Sequence, residues 1–160
     1  MWLVVGAVVA AVAIAVAVVG LALGGSEGTA SVEEYEIAVA NARDRTDFAL
    51  GRLSRAQSLE ELLERMDEAA AAVDSAAGDL DDENPPDRFE DETEALVRQL
   101  HALATDVQGT ADQARVPGFE DLLLGAPGLD FPSWDKINAT FAKLREQGIA
   151  VQPLTRHTTS

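Results

Sequence analysis

The chain has 160 residues, enough for one domain beside an anchoring segment, and carries a formal net charge of −16 at pH 7. So negative a polypeptide repels phosphate backbones and anionic headgroups, which excludes nucleic acid as a partner and leaves cations and basic surfaces as the allowed ones. There is no cysteine, so disulfides, thiolate chemistry, Cys-bound zinc and lipid attachment through Cys are excluded as well.

The charge is unevenly placed. Residues 2–23 contain none, and every Lys, Arg, Asp and Glu lies at or after Glu27. A helix of this length spans about 33 Å, matching a hydrocarbon core of about 30 Å. In lipid the backbone amides must bond within the segment, so helix is the expected state despite the many valines. Trp2 would sit at the membrane–water boundary. The sequence therefore predicts a single transmembrane anchor, or an uncleaved signal, over residues 1–24. A removed signal peptide normally has a basic start and a shorter apolar core, but Gly28-Thr29-Ala30 offers a cleavage point that keeps a secreted form open. The first basic residue is Arg43, so only the α-amino group is positive on the N-terminal side of the segment, and the expected orientation is N-terminus cytoplasmic and body extracytoplasmic. Ala7, Ala11 and Ala15 fall on one helical stripe along which two such segments could approach and dimerise.

Residues 25–31 read as a short linker. Ser31 and Glu34 have capping-box spacing, and Val32, Tyr35, Val39, Ala42, Thr46, Ala49 and Leu53 then recur every three or four residues. The expected helix runs to about Gln57. Ser58 and Glu61 form a second box, followed by a stripe from Leu59 through Leu62, Leu63, Met66, Ala69, Ala70, Val73 and Ala77, with Gly78 as its stop. The acidic, proline-bearing run 79–87 breaks the helix. Asp87 and Glu90 have the spacing to cap the next one, whose stripe is Phe89, Thr93, Leu96, Leu100, Leu103 and Val107. Residues 32–115 thus predict an antiparallel helical hairpin or small bundle with coiled-coil-like seams, turning through 79–87. Residues 116–133 form an apolar Pro/Gly-rich loop. A last helix is expected over 134–148, capped by Ser133, with Trp134, Ile137, Phe141 and Leu144 on one face, a stop at Gly148, and Ile149 packing back. Residues 149–160 read as a tail.

Little chemistry is spelled out. His101 and His157 are the only histidines and have no triad or ligand partner in sequence. No phosphate loop, nucleophile elbow or metalloprotease motif occurs. Asn138-Ala139-Thr140 matches a glycosylation sequon but falls inside an expected helix. Asp79, Asp81, Glu83, Asp87 and Glu90 occupy positions 1, 3, 5, 9 and 12 of a twelve-residue window, the oxygen-ligand spacing of a calcium loop. Asn84 stands where that loop wants Gly, and Pro85 and Pro86 come next; the same acids also serve as a solvated turn and a cap. The apolar loop with Trp134 offers a second lead: Phe119, Leu123, Phe131 and Trp134 could meet a partner protein, or fold back to cover an open side of the bundle.

The run Ser58-Leu59-Glu60-Glu61-Leu62, with Ala76-Ala77, Leu80, Pro85-Pro86 and the leucines from Leu96 to Leu103, resembles membrane-anchored or secreted helical proteins of actinobacterial type that pair two helices around a Leu…Pro-Pro turn. The resemblance covers about half the chain and implies an extracytoplasmic helical domain without supplying an activity. Many such proteins carry Cys near the anchor or in the first helix, and this chain has none. The sequence expectation is an all-α, membrane-anchored envelope protein that is not an enzyme and needs no cofactor. Its expected partners are the membrane through residues 2–23, and an envelope protein or a second copy of itself.

Overall fold

In the computed structural model the described residues are 29–118 and 130–156. The proposed anchor, the greater part of the linker, most of the apolar loop and the last four residues lie outside them, whereas the proposed cleavage point after Ala30 falls at the start of the first described stretch. Among the described residues there are four α-helices and no strand: α1 (Val32–Gly51), α2 (Leu59–Asp81), α3 (Glu90–Ala114) and α4 (Ser133–Glu146). The described residues form an all-α helical bundle.

Long-range polar pairs fix the directions. Arg45 bonds Ser75 and Asp79 while Arg52 pairs with Glu68, so α1 and α2 run antiparallel. Asp74 meets His101 and Asp67 meets Arg115, which sets α2 against α3 in the same sense. Gln99 bonds Thr140 and Asp106 bonds Ser133, so α3 and α4 are antiparallel too. Sequential helices pack closely, whereas α1 and α4 approach each other far less.

The stripes read from sequence form the core. Tyr35, Val39, Met66, Val73, Leu96, Leu100, Leu103, Val107, Phe141 and Leu144 are fully buried. Ala70 of α2 and Ala104 of α3 are buried at the α2–α3 seam, where small side chains let the two backbones come close. At one end of the bundle Tyr35 stacks on Phe89 with ring centroids 5.0 Å apart. The Tyr35 hydroxyl donates to Thr93 Oγ1 at 2.7 Å, and that hydroxyl in turn donates to the Phe89 carbonyl at 2.7 Å. Two rings and three polar groups are thereby satisfied in a dry site.

The helix ends show what local signals decide and what packing overrides. Ser31 and Glu34 make a reciprocal capping box. Its two bonds from Ser31, the backbone one first, hold the Glu34 carboxyl below its ordinary value. Beyond α1 the expected run to Gln57 is cut short. The helix stops at Gly51, residues Leu53–Arg55 tighten into a 3₁₀ turn, and Leu53 is buried there. Ser58 caps α2 through Glu61 N–H, so the break is real. Gly78 does not stop α2. The helix continues to Asp81 because Leu80, two residues beyond the glycine, is 2 % exposed. Burying a leucine stabilises by about 2 kcal/mol and outweighs the roughly 1 kcal/mol that a mid-helix glycine costs. Asp87 caps nothing through its side chain. Burial of Phe89 draws Asp87–Phe89 into a 3₁₀ turn and α3 begins at Glu90, where Glu90, Asp91 and Glu92 complement the helix dipole. Ser133 is likewise not a cap but the first residue of α4, its hydroxyl donating 2.7 Å to Asp106.

The C-terminus of α4 agrees with the sequence reading. Gly148 takes φ +97°, Ile149 N–H bonds Leu144 O at 2.9 Å and Gly148 N–H bonds Arg145 O at 3.0 Å. This is a Schellman turn, and the left-handed residue has to be glycine-like. The chain after this turn is not the expected tail. Ile149, Val151 and Leu154 are 1 %, 1 % and 4 % exposed, and residues 149–156 lie as a strap bonded to both α1 and α4. The sequence hides this because three apolar residues in so short a run, spaced two and three apart, fit neither a helical nor a strand repeat.

Candidate functional site

The acidic window is spread out by the fold. Asp79 and Asp81 both belong to α2, and two residues along a helix turn by about 200°, so their carboxylates leave in opposing directions. Asp79 is ion-paired with Arg45. Asp81, Glu83, Asp87 and Glu90 are exposed, and Asp87 and Glu90 sit in different elements. Among the described residues no three His, Cys, Asp or Glu side chains come together to hold a metal ion. The continuation of α2 past Gly78 is the physical reason, because a calcium loop must start its turn at position 1.

The apolar lead divides. Phe119 and Leu123 lie outside the described residues. Phe131 and Trp134 are 4 % and 3 % exposed and form part of the core, so these two serve as a cover over the bundle and present no surface to a partner. The indole N–H of Trp134 has no hydrogen-bond partner among the described residues.

Two surface features were not visible in sequence. The first is an open groove of about 460 Å³ between α2 and α3, floored by Ala70, Ala71, Ala104 and Gly109 and rimmed by Asp67, Asp74 and Asp112. Its rim charges are largely answered within the chain. Arg115 bonds Asp67 and Asp112, and these bonds, that to Asp67 foremost, raise its own pKa. His101 Nδ1 lies 2.8 Å from Asp74, which places the histidine in a surface pair. The sequon asparagine is also spoken for: Asn138 Oδ1 accepts from Leu154 N–H at 2.7 Å and its Nδ2 donates to Leu154 O at 3.4 Å.

The second feature is the strap cradle. Glu36 accepts from Ala150 N–H at 3.1 Å, and Asp47 from Thr155 N–H at 2.7 Å. Arg43 donates twice to Pro153 O, at 2.8 and 3.3 Å, and Arg145 donates to Val151 O at 3.2 Å. With Asn138 holding both polar groups of Leu154, seven bonds bind the strap main chain, and every one comes from a side chain of α1 or α4. Glu36, Arg43 and Asp47 lie on α1 at spacings of seven and four, a legible polar stripe whose partner, more than a hundred residues away, is not.

Comparison with protein-family models, with characterised proteins and with solved structures returns no match. Among the described residues no helix is long and apolar enough to cross a membrane.

Proposed function

We propose that this chain is a single-pass membrane protein whose four-helix body is displayed outside the cytoplasm as a non-enzymatic interaction or structural module of the cell envelope. The observation that carries this reading is the uncharged run of residues 2–23 against a body holding all of the charge. Such a run is more stable in hydrocarbon than in water by far more than the few kcal/mol that decide a folding equilibrium.

The folded body supports it in two ways. The bundle starts close behind the run: Ala30 N–H bonds Asn84 O at 2.8 Å and Ser31 opens α1. The end of the bundle on that side carries Glu33, Glu34, Asp81, Asp82, Glu83 and Asp87, all exposed. Those carboxylates repel an anionic lipid surface, so the body stands off the bilayer instead of lying on it. The four-helix surface, strongly acidic and with no convergent acid–base set among the described residues, suits contact with other proteins better than turnover of a substrate.

Fractionation and protease treatment of intact cells test this. The expected result is a full-length chain in the membrane fraction whose body is digested by protease added outside. Full-length, unprocessed chain in the soluble cytosolic fraction without detergent overturns the proposal. A shorter chain beginning at Ser31 in the medium replaces the anchor with the secreted form.

A further inference from the structure

Residues 149–156 occupy a groove between α1 and α4 that reads main chain. Six of the strap's polar backbone groups face charged or amide side chains on the body, and three of its side chains, Ile149, Val151 and Leu154, fill apolar sites. Nothing in these contacts requires that the strap belong to the same chain as the groove. We propose that the groove also accepts the strap of a second copy, so that two chains exchange residues 149–156 reciprocally and form a closed dimer.

Three observations lead there. First, an empty groove is unstable. It would expose the apolar floor between two helices that scarcely touch each other, and leave Glu36, Arg43, Asp47 and Asn138 without the strap groups they bond. Opening therefore calls for a replacement, and the replacement that restores every bond is the same segment from another copy. Second, the joint is short. Between the end of α4 at Glu146 and the buried Ile149 stand only Gln147 and Gly148, both exposed. Straightening the reversal at Gly148 costs two hydrogen bonds and points the strap away from its own body. Exchange of an identical element across such a short connection is a low-cost route to dimers. Third, the exchange closes. Once one strap has crossed, the second crossing is intramolecular and benefits from an effective concentration in the roughly millimolar range. The closed dimer then keeps the side-chain bonds and apolar contacts that both straps make with their grooves, and lacks only the two turn bonds at each Gly148. The proposal does not depend on the membrane reading, because it concerns only α1, α4 and the strap.

The absence of cysteine makes the test specific. Two single variants of the full chain, Asp47→Cys and Thr155→Cys, are purified in detergent, mixed at high concentration and oxidised mildly. The double variant oxidised when dilute should form an intrachain link, confirming that the two positions meet. The mixed singles should give several-fold more disulfide-linked heterodimer than a control mixture of Thr155→Cys with Glu94→Cys, a distant exposed position on α3. Yields equal to the control overturn the proposal. A second measurement needs no substitution. Sedimentation of the unmodified chain should show a concentration-dependent dimer that dissociates when an excess of a synthetic peptide of residues 149–156 is added. A chain that stays monomeric at every concentration, or a dimer indifferent to the peptide, is incompatible with exchange.

Discussion

The α2–α3 seam and the α1–α4 face solve one problem in opposite ways. Both must shut water out from between two helices. Along α2–α3 the closure is direct, with alanines on both helices bringing the backbones together and leucines of α3 filling what remains. Along α1–α4 the helices stay apart and an extended strap fills the gap, its main chain held by side chains from both sides. The first solution is local and periodic. The second needs partners more than a hundred residues apart and leaves backbone amides dependent on carboxylates and a guanidinium. The seam should accordingly be the more robust of the two, and the strapped face the first to open.

Substitutions can break this contrast. Phe141 on α4 is fully buried, and Phe141→Ala should destabilise by about 3–5 kcal/mol, with chemical denaturation as the measure. The next effect belongs to the strap. Leu154→Ala should cost about 2–3 kcal/mol, below the upper range for leucine because a surface segment relaxes around the gap. Its diagnostic sign is hydrogen exchange, where the amides of Ala150 and Thr155 should speed up while those of α2 and α3 keep their protection. Equal acceleration in both regions would mean that strap and seam open as one unit.

A smaller effect probes the end where α1 meets α3. Tyr35→Phe removes a hydroxyl whose acceptor, Thr93, still donates to the Phe89 carbonyl, so the loss should be about 1 kcal/mol. The same residue sets a pH limit. Burial raises the phenol above its ordinary value, the Thr93 hydrogen bond partly offsets this, and the nearby Glu92 charge adds to it. The folded chain therefore holds the proton more tightly than the unfolded one. Tyr35's share of stability is whole below pH about 10 and is lost as pH rises through the raised folded value. Tyr35 is the only tyrosine, so its phenolate absorbance reports the titration directly, and Tyr35→Phe should flatten the alkaline end of the stability profile. Smallest of all, Arg115→Ala on the seam's rim should barely move the denaturation midpoint, and less still at high salt, because its bonds to Asp67 and Asp112 are exposed to solvent.

The same contrast explains how much could be read in advance. The helical stripes were legible because each buried position repeats every three or four residues, and Tyr35, Met66, Leu100 and Phe141 lie where the period puts them. Capping signals were legible at Ser31 and Ser58 and misleading at Gly78, Asp87 and Ser133. At Gly78 and Asp87 a neighbouring large side chain, Leu80 or Phe89, gains more from burial than the cap gives. The acidic window is spread out for the same reason, since helix α2 takes in Asp79 and Asp81. Phe131 and Trp134 look equally suited to a partner or to the core as letters in a loop, and only the open edge of the bundle decides between the two. The strap was illegible because its recognition resides in backbone groups that every sequence shares.

Asn138 carries one more consequence. Its carboxamide is committed on both sides to Leu154, and Thr140, the third residue of the sequon, is 5 % exposed and bonded to Gln99. An enzyme that attaches sugar to that nitrogen can reach it only before residues 149–156 dock. In a host that glycosylates secreted proteins, the fraction of chains bearing a glycan at Asn138 would act as a stopwatch, recording how quickly the last piece of the fold closes after the chain emerges.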